Sequence, residues 1–133
     1  MSTTMAQPDD LDRALGYLRA MEERDLERAK GFLHPNFAMV FPGNRRMVDL
    51  AVLVAWSRTR YRFVRKSFDE TDLGIDRHGR KVVMLSGRLS GEWLDGTAFA
   101  GIRYVDRFIL QDGLLLEQHI WNDLAEAMHI APR

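Results

Sequence analysis

The chain has no cysteine, no net charge and no long apolar run. The absence of cysteine excludes disulfides, thiol catalysis and zinc sites with thiolate ligands. Nineteen Lys and Arg balance nineteen Asp and Glu, so the sequence lacks the basic excess of proteins that bind nucleic acid or membrane surfaces. No apolar run approaches the roughly 20 residues of a membrane-spanning helix, and the first residues carry no secretory signal. We therefore expect a cytoplasmic protein without nucleic-acid or membrane partners.

The sequence is long enough for one globular domain. Of its 133 residues, 46% are hydrophobic and 29% are charged, and a chain of this length buries roughly two-thirds of its unfolded surface. Residues 1–7 are small and polar and predict a flexible tail, whereas residues 8–133 predict a single domain. The four histidines have no metal-ligand spacing, and the sequence has no glycine-rich phosphate loop. We expect neither a metal nor a cofactor.

The hydrophobic spacing predicts helices first and strands after them. One helix begins at Pro8, a second short helix follows Asp25, and a third runs from Val48 to about Thr59, with a strand over Phe37–Phe41 before it. Four strands of an antiparallel meander follow, over Tyr61–Ile75, Lys81–Leu94, Thr97–Leu110 and Leu114–Asn122. Glycines inside these strands predict strong curvature. The predicted class is α+β, with a cone-shaped curved antiparallel sheet packed against three N-terminal helices.

The turn at Asp95-Gly96 predicts which side chains of its two strands share a face. Pairing Leu94 with Thr97 across this turn puts Asp106 in the middle of an apolar face. The other members of that face are Val83, Leu85, Leu89, Ile102, Tyr104 and Phe108. The opposite face is polar and charged.

A carboxyl group in an apolar wall must be protonated, paired or hydrogen-bonded. Our hypothesis is that Asp106 is at least partly protonated and donates a hydrogen bond to a ligand oxygen. Two alternatives stay open: Asp106 accepts bonds from a backbone amide or a hydroxyl, or a bulge turns it outward to an arginine.

Two further features allow more than one interpretation. The segment 58–66 alternates basic and aromatic residues, as in nucleic-acid sites, but acidic residues follow at once, and we interpret it as a cationic helix end and a polar strand edge. Trp56, on the third helix, either lines a pocket or packs on the sheet.

Five segments, in this order and spacing, resemble one protein superfamily over nearly the whole chain. They are Leu11–Met21, Asp25-Leu26 with Phe32–Phe37, Phe41-Pro42-Gly43, Tyr104–Phe108 with Asp112-Gly113, and Ile120–Leu124. Their arrangement is similar to that of the nuclear transport factor 2-like superfamily, which includes ketosteroid isomerases and SnoaL-like polyketide cyclases. The chain resembles the SnoaL-like branch most.

The resemblance implies an oxyanion hole without its familiar base. In ketosteroid isomerases a tyrosine on the first helix and a protonated aspartic acid on the penultimate strand bind the substrate oxygen, and Tyr17 and Asp106 match these positions. Phe41 and Ile120 stand where the isomerases and the cyclases carry their proton acceptors, and neither can take a proton. Tyr17 can also be an ordinary core residue.

The resemblance also implies a function and a partner. We expect a cofactor-free SnoaL-like enzyme (a cyclase, isomerase, dehydratase or hydratase) that acts on a hydrophobic carbonyl- or enol-containing substrate, polarised by Asp106 and Tyr17. The alternative is a non-catalytic ligand-binding or dimerisation module. Substrate-binding residues would be Phe41, Trp56, Leu85, Ile102, Tyr104, Phe108, Ile120 and Asn122. Homodimerisation through the outer sheet face, which carries Met84, Val105 and Trp121, is common in the superfamily and is expected here.

Overall fold

The computed structural model describes residues 5–130. The elements, in chain order, are α1 (Pro8–Glu22), α2 (Leu26–Lys30), β1 (Leu33–Phe41), β2 (Arg45–Met47), α3 (Leu50–Ser57), β3 (Tyr61–Lys66), β4 (Glu70–Ile75), β5 (Lys81–Trp93), β6 (Ala98–Gln111), β7 (Leu114–Asn122) and α4 (Leu124–Ile130). The predicted α+β class and the helices-then-strands order are confirmed. Of the predicted tail, residues 1–4 lie outside the described residues, while Ala6 is buried and donates its N–H to the Gly74 carbonyl.

All strands belong to one seven-stranded sheet. Its order is β2-β1-β7-β6-β5-β3, and β4 pairs with β5 beyond the end of β3. β1 runs parallel to β7, and the other pairs are antiparallel. The predicted single strand over 61–75 is therefore two strands, which follow different halves of β5. The short strand β2 was not predicted.

The predicted register between β5 and β6 is confirmed in its centre but not at the turn. Leu85 pairs with Asp106 and Leu89 with Ile102, as the pattern predicts. The turn, however, is closed by Trp93 and Thr97 rather than by the predicted pair. A register shift between Leu89 and Gly91 compensates for this difference. The shift leaves one more residue on β6 than on β5 between these pairs. It lies next to Gly101, whose φ of +72° only glycine adopts readily.

Helix α1 covers the concave face of the sheet. Its first turn is closed by a capping box between Gln7 and Asp10, and the predicted apolar stripe is buried, with Tyr17 and Leu18 among its members. Together with α3 and the strands, this stripe forms the main hydrophobic core. None of the helices within residues 5–130 is long and apolar enough to cross a membrane.

The sheet bends where Gly87 lets another part of the chain come close. A Cβ atom at Gly87 would lie 2.0 Å from the Ser67 carbonyl oxygen. This contact lies in the connection from β3 to β4. There the backbone N–H of Ser67 donates to the Arg88 carbonyl, and that of Asp69 donates to the Ser86 carbonyl. Because Gly87 has no side chain, the connection between β3 and β4 packs directly against β5.

Gly87→Ala is expected to lower the free energy of unfolding by about 2 kcal/mol or more, because the new methyl group would overlap backbone atoms. Gly74→Ala is the matched control, since nothing lies within 4 Å of a Cβ at that strand position. Urea denaturation of both variants measures the difference, and equal stabilities would contradict this account of the bend.

Candidate functional site

A single carboxyl group lies in the apolar concave face. Asp106 on β6 is 0% exposed and lies between its cross-strand neighbours Leu85 and Ile120. Its Oδ2 accepts a hydrogen bond from the Lys66 ammonium group, and the two side chains form an ion pair. Its Oδ1 is buried without a hydrogen-bond partner among the described residues. The sequence predicts that Asp106 donates a hydrogen bond to a ligand oxygen; here its Oδ2 accepts a hydrogen bond from Lys66, and the donor role stays a prediction.

Lys66 reaches Asp106 because the last residue of β3 faces inward. It pairs with Leu89, which is buried on the concave face. The ammonium nitrogen also lies 4.8 Å from the centre of the Tyr104 ring, a cation–π contact. Tyr104 is held in turn by its hydroxyl, which donates to the Ser67 carbonyl at 2.7 Å. An ammonium group has three donors, so Lys66, whose side chain is 18% exposed, keeps donors for a ligand.

A cavity of about 110 Å³ opens beside Lys66. Its apolar wall includes Leu18, Met21, Leu53, Val64, Leu89 and Leu124. Its polar groups include Glu22, Arg24, Ser57, Tyr61 and Gln118. Apolar walls with a few polar groups are typical of small-molecule sites. The cavity is smaller than the ~150 Å³ that holds benzene in another protein.

Gln118 supplies an amide group with no partner in the described part of the chain. It lies on β7 opposite Phe108, is 4% exposed and lines the cavity, and its side chain forms no hydrogen bond with residues 5–130. Buried amides normally have partners. The side chain is therefore placed to bind a polar group of a ligand.

Among the described residues, Glu22 supplies the carboxylate group in the lining of the main cavity. Its Oε1 accepts the backbone N–H of Lys66 at 3.0 Å, which fixes the carboxylate against the end of β3. No group of three or more acidic or histidine side chains within residues 5–130 is arranged to hold a metal ion.

Tyr17 lines the same cavity but directs its hydroxyl elsewhere. The hydroxyl donates to the Met39 sulfur at 3.7 Å, and the ring packs edge-on against Phe37 and Phe108. Burial, and then the negative charge of Asp106, raise the pKa of the Tyr17 hydroxyl. In this arrangement Tyr17 is a core residue, and the donor beside Asp106 is Lys66.

The other predicted site residues fall into three groups. Phe41, Ile120 and Asn122 line the cavity together with Tyr17. Trp56 lines a smaller neighbouring cavity of about 60 Å³ and packs edge-on against Phe41. Four are buried in the wall behind the cavity and do not line it: Leu85, Ile102, Tyr104 and Phe108.

The sequence contained a signal for some of the residues that its analysis missed. Gln118 lies two positions before Ile120, so strand alternation places both on the inner face. Lys66 lies two positions after Val64, so alternation places these two on one face as well. The charged residues around it favour the interpretation of segment 58–66 as a cationic helix end and a polar strand edge. Glu22 ends α1 four residues after Leu18, so helical spacing places it on the same face. Arg24 follows the helix, where no periodicity predicts the direction of its side chain.

Comparisons with known proteins agree with this architecture. TerC, solved with polyporic acid, matches with a TM-score of 0.75 at 21% identity over 91% of this chain and 95% of its own. An NTF2-like protein of unknown function from Burkholderia pseudomallei matches with a TM-score of 0.70 at 18% identity over 96% of this chain and 100% of its own. A candidate SnoaL-like polyketide cyclase from Jannaschia sp. CCS1 matches with a TM-score of 0.75 at 16% identity over 96% of this chain and 98% of its own. No family model and no curated protein matches the sequence.

The chain has the nuclear transport factor 2-like fold. This fold hosts many activities, so the function of this member must be argued from its own side chains. Phe41 and Ile120, which the sequence resemblance matches to the base positions of ketosteroid isomerases and cyclases, both line the cavity. The polar groups of the cavity lining include Lys66, Gln118 and Glu22.

Lys66→Met is expected to lower the free energy of unfolding by about 3–5 kcal/mol, because it leaves the Asp106 carboxylate buried and unpaired. The double variant Lys66→Met/Asp106→Leu should recover most of this loss. A double-mutant cycle in urea measures the coupling. Lys30→Met is the control, since Lys30 is exposed and its ion pair with Glu27 should contribute little. Strictly additive effects at 66 and 106 would contradict the coupling.

Proposed function

We propose that the chain is a cytoplasmic, cofactor-free SnoaL-like enzyme that binds a hydrophobic small molecule with a carbonyl or enol oxygen. The observation that carries this proposal is the set of unused hydrogen-bond donors at an apolar-walled cavity: the spare ammonium protons of Lys66 and the unpartnered amide of Gln118. Such donors stabilise the negative charge that develops on oxygen during enolisation. Small-molecule binding by this fold has a precedent in TerC with polyporic acid.

Each polar group of the cavity takes one part of the proposed step. The substrate carbonyl oxygen lies against Lys66 and Gln118, and Asp106 holds the Lys66 ammonium in place. The Glu22 carboxylate accepts a proton from the carbon next to the carbonyl, and the electron pair of that C–H bond moves to the oxygen to form an enolate. Return of the proton to a different atom completes an isomerisation, and attack of the enolate on a second carbonyl completes a cyclisation. Elimination of a leaving group from the enolate would make the enzyme a dehydratase.

A second candidate is a non-catalytic ligand-binding module. The observation that favours it is that both positions at which the superfamily's isomerases and cyclases carry a base are apolar here, Phe41 and Ile120. In that case Glu22 would serve only to hold the backbone of Lys66.

Exchange of carbon-bound protons in D₂O separates the two functions. With 2-tetralone, a hydrophobic ketone, we expect the protein to accelerate loss of the signal of the protons next to the carbonyl in ¹H NMR. Glu22→Gln should reduce this acceleration at least tenfold, because general-base catalysis contributes about 10²–10⁴-fold. Binding should remain, since the variant keeps the Lys66 and Gln118 donors.

The matched control is Glu23→Gln, which removes an exposed carboxylate that pairs with Arg28 outside the main cavity. It should leave the exchange rate unchanged. Binding of 2-tetralone or of its enol mimic 2-naphthol without exchange would establish the binding module instead. Failure of both compounds to bind would overturn the pocket function altogether.

We further propose that the outer sheet face pairs two copies of the chain. Trp121 is 54% exposed there, its ring stacks on His119 with centroids 6.1 Å apart, and it pairs with Val105 next to the strand position of Met84. A large exposed aromatic side chain within a partly apolar patch favours an interface.

Trp121→Lys is expected to convert a homodimer into a monomer with little change in unfolding free energy, because the side chain supports no contact of the concave core. Analytical ultracentrifugation measures the molecular mass. Phe63→Lys, at an exposed position of β3, is the control and should stay dimeric. A monomeric wild-type protein would refute this interface.

A further inference from the structure

Tyr61 stands where the main cavity meets the smaller one. Both cavities are lined by Phe41, Tyr61, Asn122 and Leu124, so they form two lobes of one opening. The Tyr61 hydroxyl forms no hydrogen bond with the described residues. Burial raises the pKa of this hydroxyl, whereas the positive charges of Arg24 and Arg60 act in the opposite direction. Tyr61 shares the lining of the main cavity with Arg24 and the lining of the smaller cavity with Arg60.

Neither guanidinium group has a carboxylate partner within residues 5–130. Arg24 donates to the Met21 carbonyl at 2.8 Å and to the Ser57 hydroxyl at 3.4 Å. Arg60 stacks 4.9 Å from the centre of the Trp56 ring, and its guanidinium group donates to the weak acceptor sulfur of Met128 at 4.0 Å. A guanidinium group has five N–H donors, so each arginine keeps several for an anion.

Arg24 lies directly after the end of α1. Its φ of +60° is that of the residue after the C-cap in a Schellman motif, in which the N–H groups of Arg24 and Asp25 donate to the carbonyls of Met21 and Ala20. Its guanidinium group returns to the end of α1 and lines the main cavity.

We propose that Arg24, Tyr61 and Arg60 form an anion site that binds a carboxylate group of the substrate at the mouth of the cavity. The planar fork of arginine matches a carboxylate, and the tyrosine hydroxyl adds a third donor. This inference rests on the proposed function and extends it, because it makes the substrate an acid with oxygen groups at both ends.

The position of Lys66 relates the anion site to the oxygen of the proposed substrate. Arg60 directly precedes β3, which ends at Lys66, so their Cα atoms are at most roughly 20 Å apart along an extended chain. The proposed substrate therefore carries an enol or carbonyl oxygen at one end and a carboxylate at the other.

Two probes that differ only in the carboxylate test the anion site. We expect 6-hydroxy-2-naphthoate to bind about tenfold or more tightly than 2-naphthol at neutral pH, as measured by isothermal titration calorimetry, because charge-assisted bidentate bonds are among the strong ones. Arg24→Asn and Arg60→Gln should each remove most of this advantage while the affinity for 2-naphthol stays the same.

A matched control and a stability measurement keep the test specific. Arg58→Gln removes a positive charge two residues from Arg60 that does not line either cavity, and it should leave the preference intact. The melting temperature of Arg24→Asn should not fall, because asparagine tolerates a positive φ. Loss of carboxylate binding in that variant then cannot be due to unfolding.

Equal affinity for the two probes in the wild-type protein would overturn the anion site and leave the proposed function intact. A loss in Arg58→Gln as large as that in Arg24→Asn would also overturn it, since net charge alone would then explain the preference. If neither probe binds, the proposed function fails together with this inference.

Discussion

The ion pair between Lys66 and Asp106 is the interaction on which the candidate site depends. A carboxylate buried among apolar side chains costs several kcal/mol unless a charge of opposite sign lies next to it. Lys66 provides that charge from a strand 40 residues away in sequence, and its remaining donors face the cavity. The partner that makes the buried Asp106 tolerable is therefore also the group best placed to bind a substrate oxygen.

The position of that lysine depends in turn on close backbone packing. β3 lies against β5 where Gly91 leaves room for the Phe63 carbonyl, and the chain then crosses toward β4 over Gly87. The Ser67 carbonyl at this crossing holds the Tyr104 hydroxyl, and the Tyr104 ring lies under the Lys66 ammonium. Gly87 and Gly91 thus allow the close backbone packing that positions the Lys66 side chain.

The arrangement of the polar groups gives the cavity a direction. Lys66 and Gln118 lie on the strands that form its wall, while Arg24 and Arg60 flank Tyr61 where the two lobes meet. Between them the walls are apolar. In the proposed binding mode, a ligand held at both ends has one orientation. Such positioning contributes to catalysis by holding reacting groups in place.

The sequence by itself determined the α+β class, the apolar stripe of α1 and the face on which Asp106 lies, because helical and strand periodicity are local properties of the chain. It could also have placed Gln118, through its alternation with Ile120. The partner of Asp106, the split of 61–75 into β3 and β4, and the return of Arg24 to the cavity were decided only by the tertiary structure. These features depend on which distant segments pack together and on how closely glycines let them approach, and no local pattern records either.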